Sequence, residues 1–339
     1  MKLTEAELEF DKELTEGAHN AIRVCLNLKP EERITVITDS ETKEIAASLI
    51  NEVKMVGSEH SLFVLEDFTP RPILDMPEEI LNDLAKSQVS IFAAAAHTGE
   101  LKSRIQMTKV VNKHKIRHGH MVNISRKIMM EGMRANFYKI DELSQRLMQK
   151  AVRAKSIRAS SSAGTNIIAE FSPKLKWLKT SGLISPDKWG NLPGGEIFTS
   201  PYNIHGRFVV DGVVGDYLCK KYGDLKDTPL IIDIADSRIT NLECQNKELL
   251  EEFTAYTKTD ENSNRVGEFA IGTNIAINQV IGQILQDEKI PGIHIAFGHP
   301  YTEFTGADWI STTHIDCVGT HFNIWLDNEQ VMEHGKFLI

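Results

Sequence analysis

The sequence predicts two kinds of fold in one chain: an α/β N-terminal domain with a parallel sheet, then an α+β C-terminal domain. Three observations lead there. Strand-like and helix-like segments alternate up to about residue 154, and such alternation sets strands side by side in parallel with helices over their faces. After "KSIRASSSAGTN" (155–166) the pattern changes to short strands separated by Gly/Pro turns. At 339 residues the chain is long enough for one large domain or two ordinary ones. The expected domains are 1–160 and 161–339.

The elements follow in order. Residues 3–26 read as an amphipathic helix and "RITVITD" (33–39) as a strand. Residues 40–57 place Ala46, Leu49, Ile50 and Val53 at helical spacing after a Ser/Glu start. "SLFVLED" (61–67), a helix near 78–87, "VSIFAAAA" (89–96), a helix near 98–114 and "HMVNIS" (120–125) continue the alternation, and two helices fill 126–154. In the second half, helices are expected over about 245–257 and 274–287, the latter from apolar residues at 277, 280, 281, 284 and 285. "IHIAFG" and "HFNIWLDNEQV" read as strands.

Composition excludes several classes. The net charge of −9 lacks the basic balance of a nucleic-acid binder. No apolar run is long enough to span a membrane, and the acidic start "MKLTEAELEFDKELTEG" has no apolar signal-peptide core. Cys25, Cys219, Cys244 and Cys317 form no CxxC pair, so a reduced, cytoplasmic protein is expected. "TDSETKE" follows the first strand in place of GxGxxG, which removes the tight glycine turn a dinucleotide pyrophosphate needs. His114, His118 and His120 in "NKHKIRHGH" read as a solvated basic face.

The second half holds the polar residues that interrupt apolar runs. "LPGGEIFTSP" carries Glu196, "VGEFAIGTN" Glu268, "GIHIAFGHPY" His294 and Tyr301, and "STTHIDCVG" His314 and Asp316. A buried carboxylate is costly unless it is paired or binds a metal. On a strand, His314 and Asp316 project from one face, roughly 7 Å apart along the chain, and Cys317 faces the other way. Taken alone, HxD suits a surface strand with two polar residues better than a metal site. Four such segments in one domain, with carboxylates and imidazoles but no thiolate, suit Zn, Mn, Co or Fe(II) better than a closed structural zinc site.

These segments resemble the metal-binding motifs of the M29 metallopeptidases, the aminopeptidase T/S group. "GGEIFTSP" matches its "GE(V/I)FT.P" segment, "GEFA" its "GEVA", "HIAFGHPY" its "HIA(L/F)G…Y", and "HIDCVG" its "HxD". The match covers about 190–318; over the first half the resemblance is one of general layout. The family's "DENA" segment is replaced by "DEKIPG" (287–292), and the chain is shorter than the usual member. The resemblance implies a metal-dependent aminopeptidase that hydrolyses N-terminal residues of peptides, usually as a homodimer. It implies two divalent ions (Zn, Co or Mn), with Glu196, Glu268, His294, Tyr301, His314 and Asp316 as metal ligands in the C-terminal domain. Glu196 and Tyr301 are also the catalytic candidates: Glu196 would act as ligand or as general base, and Tyr301 would stabilise the oxyanion or sit on a metal. The substrate would be a peptide or another small molecule.

Two alternatives stand beside this. Short members of the same superfamily include a mononuclear non-haem iron ring-opening enzyme, 2,5-dihydroxypyridine dioxygenase-like, in which two histidines and a carboxylate hold Fe(II). That branch lacks the "GGEIFT" glutamate and has a histidine near "GEFA", whereas this sequence keeps both glutamates. The other alternative is a non-catalytic metal-binding protein, which the intact ligand set disfavours.

Overall fold

A computed structural model describes residues 9–186 and 189–339. The chain divides into two compact units: one runs to Tyr138 and takes up Gly182–Gly194, the other comprises Lys139–Ser181 and Gly195–Ile339.

The first unit is built on parallel strands β1 (Arg33–Thr38), β2 (Glu59–Val64), β3 (Val89–Ala93) and β4 (Arg117–His120). Their order is β2-β1-β3-β4, and the short strand Gly190–Asn191 extends the β4 edge. All of β3 and all but the first residue of β1 are buried, as expected for strands covered on both faces, which read as continuous apolar runs. Helices Lys43–Val56, Glu78–Leu84, Leu101–His114 and Arg126–Met130 stand where alternation places them. Ile37, Phe92, Met107 and Val111 meet in one core.

Order reverses between β1 and β3, where an open α/β sheet ordinarily leaves a ligand crevice at the carboxyl ends of its strands. Here Arg71 fills that place. Its guanidinium donates to Asp39, just after β1, at 3.0 Å, and to the Ala95 carbonyl, just after β3, at 2.6 Å. It also forks onto both oxygens of Glu100 at 2.5 Å. Asp39 accepts further from the Ala95 and Thr42 amides, and Glu100 from the Ile73 amide. Each oxygen of Asp39 and Glu100 thus has a hydrogen-bond donor within the unit.

Several local expectations change in this unit. Residues 3–8 of the first expected helix lie outside the described residues. From Lys12 the chain winds as a 3-10 turn, an α-helical turn over Thr15–His19 and a wider π-type stretch over Asn20–Cys25. The strand expected at 120–125 lies earlier, at Arg117–His120. That shift takes His118 and His120 into the buried sheet, so they are not a solvated face; His114 remains exposed. His118 Nδ1 meets Ser90 Oγ at 2.8 Å, and His120 stacks on Phe92. Burial pushes the His118 pKa down to about 3, so its ring stays neutral.

The second unit is antiparallel. Its strands are β5 (Ser156–Ser161), β6 (Asn166–Glu170), β7 (Leu178–Thr180), β9 (Glu196–Thr199) and β10 (Asn203–Val210), with Gly190–Asn191 counted as β8 of the other unit. There follow β11 (Leu230–Ala235), β12 (Arg238–Glu243), β13 (Val266–Gly272), β14 (Gly292–Gly298) and β15 (His314–Val318). The last are β16 (Phe322–Leu326), β17 (Glu329–Glu333) and β18 (Lys336–Phe337). They form an eight-stranded sheet, β12-β11-β10-β6-β5-β16-β17-β18, and a five-stranded sheet, β15-β14-β13-β9-β7. One hydrophobic cluster takes Ile157, Phe208 and Phe322 from the larger sheet and Phe269, Ile295 and Phe297 from the smaller.

The division at Tyr138/Lys139 falls earlier than the expected 160/161. β5 pairs with β6 and β16, so a boundary at 161 would cut a strand from its own sheet. The helix near 245–257 is present as Lys247–Tyr256. The helix expected over 274–287 shrinks to Ile284–Asp287. The Asp287 carboxylate draws the Ile281 and Gln283 amides to itself at 3.0 and 2.8 Å, and Gly282 turns through φ +75°, so the apolar periodicity is spent on an irregular loop.

Candidate metal centre

Four neighbouring strands of the five-stranded sheet carry the candidate ligands: Glu196 on β9, Glu268 on β13, His294 on β14, and His314 with Asp316 on β15. The register pairs Ala296 with both Glu268 and Asp316, His294 with Ala270, and Glu196 with Gly272. Residues opposite one another share a face, as do residues two apart. All five polar side chains therefore stand on one face, and the small Ala270 and Ala296 between them leave room. The alternate residues, including Ile197, Phe269, Ile295, Ile315 and Cys317, enter the hydrophobic core. Cys317 is thus turned away, as strand alternation requires.

Two glycines permit the close packing. Gly195, at φ +133°, precedes Glu196, and a Cβ there would meet the Asn274 amide nitrogen at 2.8 Å. Gly298, at φ +105°, ends β14 where a Cβ would come within 2.2 Å of the Thr313 carbonyl oxygen.

Glu268 is the centre of the arrangement. Its Oε1 lies 3.5 Å from His294 Nε2, and its Oε2 lies 3.8 Å from His314 Nε2. His294 Nε2 also faces Glu196 Oε2 at 3.6 Å, and His314 Nε2 faces Asp316 Oδ1 at 3.4 Å. Each imidazole therefore looks at two carboxylate oxygens, and Glu268 is shared. Glu196, Glu268 and His294 each offer a ligand atom within 4.8 Å of the others. His314 Nδ1 lies 2.9 Å from the His299 carbonyl, which takes the ring proton on that side and leaves Nε2 free as a donor to metal. His294 Nδ1 is buried without a hydrogen-bond partner.

The electrostatics are those of a cation site. Burial disfavours a charged imidazole, yet the His294 pKa is pushed up to about 9 by Glu268 and Glu196, and the His314 pKa to about 10 by Asp316 and Glu268. Asp316 is drawn down to about 2, since His314 outweighs the cost of burial. Carboxylates here outnumber fixed cations, and protons on the rings make up the difference. A divalent ion bound by the same Nε2 and carboxylate atoms takes over from those protons, so the donor set fits such an ion.

Tyr301 sits beside His314, ring centroids 4.8 Å apart, and edge-on to Phe198. Its backbone is left-handed, φ 50°, and its amide donates to His299 Nδ1 at 3.0 Å. Burial, and then the nearby carboxylates, push its phenol pKa well above the ordinary value, so the hydroxyl keeps its proton. The start of β15 is tied down by Asp260, whose carboxylate accepts from the Thr312 amide and hydroxyl at 2.7 Å each and from Ser311 Oγ at 3.0 Å.

All six sequence candidates thus come together in one unit. Sequence reasoning missed two neighbours, Lys289 and Glu288. The Lys289 ammonium is buried, 2.8 Å from Glu196 Oε1 and 2.5 Å from Glu288 Oε1. Burial raises the Glu288 pKa to about 8 and opposes the charge on Lys289, but Glu196 and Glu288 hold the lysine charged. Burial also opposes ionisation of Glu196, yet Lys289 and His294 together bring its pKa below the ordinary value. The signal was present in the one segment that departs from the family pattern, "DEKIPG".

Comparison with known proteins gives three findings. The thermophilic metalloprotease (M29) family model matches residues 134–323, more than half of the chain. No curated protein matches the sequence. Among solved structures, wild-type AmpT from Thermus thermophilus aligns with a TM-score of 0.71 at 16% sequence identity, over 98% of this chain and 100% of that one. 2,5-Dihydroxypyridine dioxygenase from Pseudomonas putida KT2440 aligns with a TM-score of 0.68 at 14% identity, over 96% of each chain. At such identities these two likenesses are of fold.

Proposed function

The chain belongs to the thermophilic metalloprotease family M29, and from that premise we propose that it is a metal-dependent aminopeptidase that removes N-terminal residues from peptides through a pair of divalent ions. The observation that carries this is Glu268, whose two oxygens face two different imidazoles, each backed by a further carboxylate. Glu196, Glu268 and His294 would hold one ion, and Glu268, His314 and Asp316 the other, with Tyr301 beside the second. When bound, such ions lower the pKa of a coordinated water and polarise the scissile carbonyl.

The chain's own residues divide the remaining work. Glu196 keeps Oε1 on Thr180 and Lys289 and presents Oε2 to the centre, where it would serve either as a ligand of the ion or as the base that accepts a proton. The protonated Tyr301 hydroxyl is the donor for a developing oxyanion. The apolar back of the sheet keeps water from the inner side of the site. A homodimer is part of this reading, and light scattering on the purified protein tests it.

The test is metal analysis with a panel of short peptides. Two divalent ions per chain and release of N-terminal residues are expected. One iron per chain with oxygen uptake on a hydroxylated N-heterocycle would replace this reading with the dioxygenase one, which is favoured by the fold likeness to the Pseudomonas enzyme and by the His294, His314 and Asp316 set. Full metal occupancy with no turnover on either panel would leave a metal-binding protein.

A further inference from the structure

We propose that Lys289 makes the two ion positions unequal, so that the position formed by Glu196, Glu268 and His294 holds its ion weakly while that of Glu268, His314 and Asp316 holds its ion tightly. The inference rests on the metal-centre reading and concerns a residue that reading does not use.

Lys289 is a fixed cation inside the centre. It stands 1% exposed, near the start of the short connection between the helix Ile284–Asp287 and β14. Its ammonium bonds Glu196 Oε1 at 2.8 Å and Glu288 Oε1 at 2.5 Å. Thr180 Oγ1 donates to the same Glu196 oxygen at 2.7 Å. Half of the Glu196 carboxylate is therefore committed, and Oε2 alone is left for an ion. Part of that carboxylate's charge is already neutralised before any divalent ion arrives.

Charge counting points the same way. Glu196, Glu268 and Asp316 bring three negative charges, and Glu288, whose charge burial opposes, brings at most part of a fourth. One divalent ion and the ammonium already offset the three full charges, and a second divalent ion carries the centre past neutrality. The ion that suffers is the one nearer Lys289. Glu196 and His294 are 7% and 2% exposed at their side chains, against 21% and 18% for His314 and Asp316. Like charges repel more strongly where water does not screen them. Position and dielectric together place the repulsion on the Glu196 side.

The experiment uses the full chain, stripped by chelation and titrated with zinc alone. Calorimetry measures the affinities, and metal analysis after gel filtration counts the retained ions. Wild type is expected to keep one zinc and to bind the second at least about tenfold more weakly. Lys289→Met is expected to narrow that gap at least about tenfold, and zinc should raise its melting temperature more than that of wild type, because the variant leaves buried carboxylates uncompensated without metal. Circular dichroism checks the fold, and Lys289→Asn serves where the methionine variant does not fold. Two ions of equal affinity in wild type overturn the proposal, as does an unchanged gap in a folded variant; both outcomes leave the metal centre standing. No zinc bound by wild type or variant removes the metal-centre reading itself.

Discussion

The molecule buries charge in two places and uses it differently. At the carboxyl ends of β1 and β3, Arg71 is matched by Asp39 and Glu100, and the leftover lone pairs of both acids are met by backbone amides. On the face of the five-stranded sheet, four carboxylates gather around one ammonium and two imidazoles whose pKa values are driven upward. In the first cluster each oxygen of Asp39 and Glu100 has a short hydrogen-bond donor, from the guanidinium, the Thr42 hydroxyl or a backbone amide. The second is overdrawn in negative charge and calls for a cation. The two clusters differ in how their carboxylate oxygens are met: by close donors around Arg71, and by imidazole nitrogens 3.5–3.8 Å away around Glu268.

Five experiments break or sharpen this contrast. The largest effect is expected from Glu268→Ala, which removes the carboxylate both positions share. It should lower metal content by at least one ion per chain and activity by more than the roughly 10- to 100-fold typical of losing a supporting residue around a metal, with the circular dichroism spectrum kept. Retained metal and turnover would take Glu268 out of the site. Glu196→Ala should likewise abolish activity in a folded protein.

Arg71→Met should do the opposite. It leaves Asp39 and Glu100 buried without their partner, for a loss of roughly 3–5 kcal/mol in unfolding free energy, while metal content per folded chain stays the same. A denaturant titration beside metal analysis checks both halves.

Chelation should destabilise the wild type and leave the Arg71 network unaffected. Restoring zinc at about 100 times its dissociation constant should return roughly 2.7 kcal/mol, read as a rise in melting temperature. A melting temperature insensitive to divalent ions would deny the second cluster its role.

The smallest effect is expected from Asp260→Asn, which weakens the anchor of β15, by about 1 kcal/mol at neutral pH. The Asp260 pKa is lowered, first by the Thr312 amide, from an ordinary value of 3.8. A carboxylate depressed on folding stabilises the native state above its unfolded pKa and loses that contribution as pH falls towards the folded one. The wild-type advantage should therefore be full above about pH 4 and fade in stronger acid. Melting curves of the two proteins across that range test the sign.

Much of this was legible beforehand. β1, β3 and the helix Lys43–Val56 follow from local period and capping, which depend on near neighbours in the chain. The ligand types were legible too, because a carboxylate or imidazole set between apolar residues on a strand stands out against its period. His118 and His120 were misread because "RHGH" is polar by composition, while its burial comes from β3 and the strand Gly190–Asn191 on either side. The helix expected over 274–287 was misread because its periodicity competes with the amides that Asp287 captures.

By itself, then, the sequence determined which carboxylates and imidazoles interrupt the apolar strands and which side of each strand they take, since alternation along a strand is a local property. It also determined the absence of a phosphate-binding glycine turn after β1. The tertiary structure alone decided that β9, β13, β14 and β15 lie side by side, that Glu268 faces two imidazoles, and that Lys289 reaches Glu196 from 93 positions along the chain. Strand order and register are set by contacts between distant segments, and no local pattern in "DEKIPG" says which carboxylate its lysine will meet.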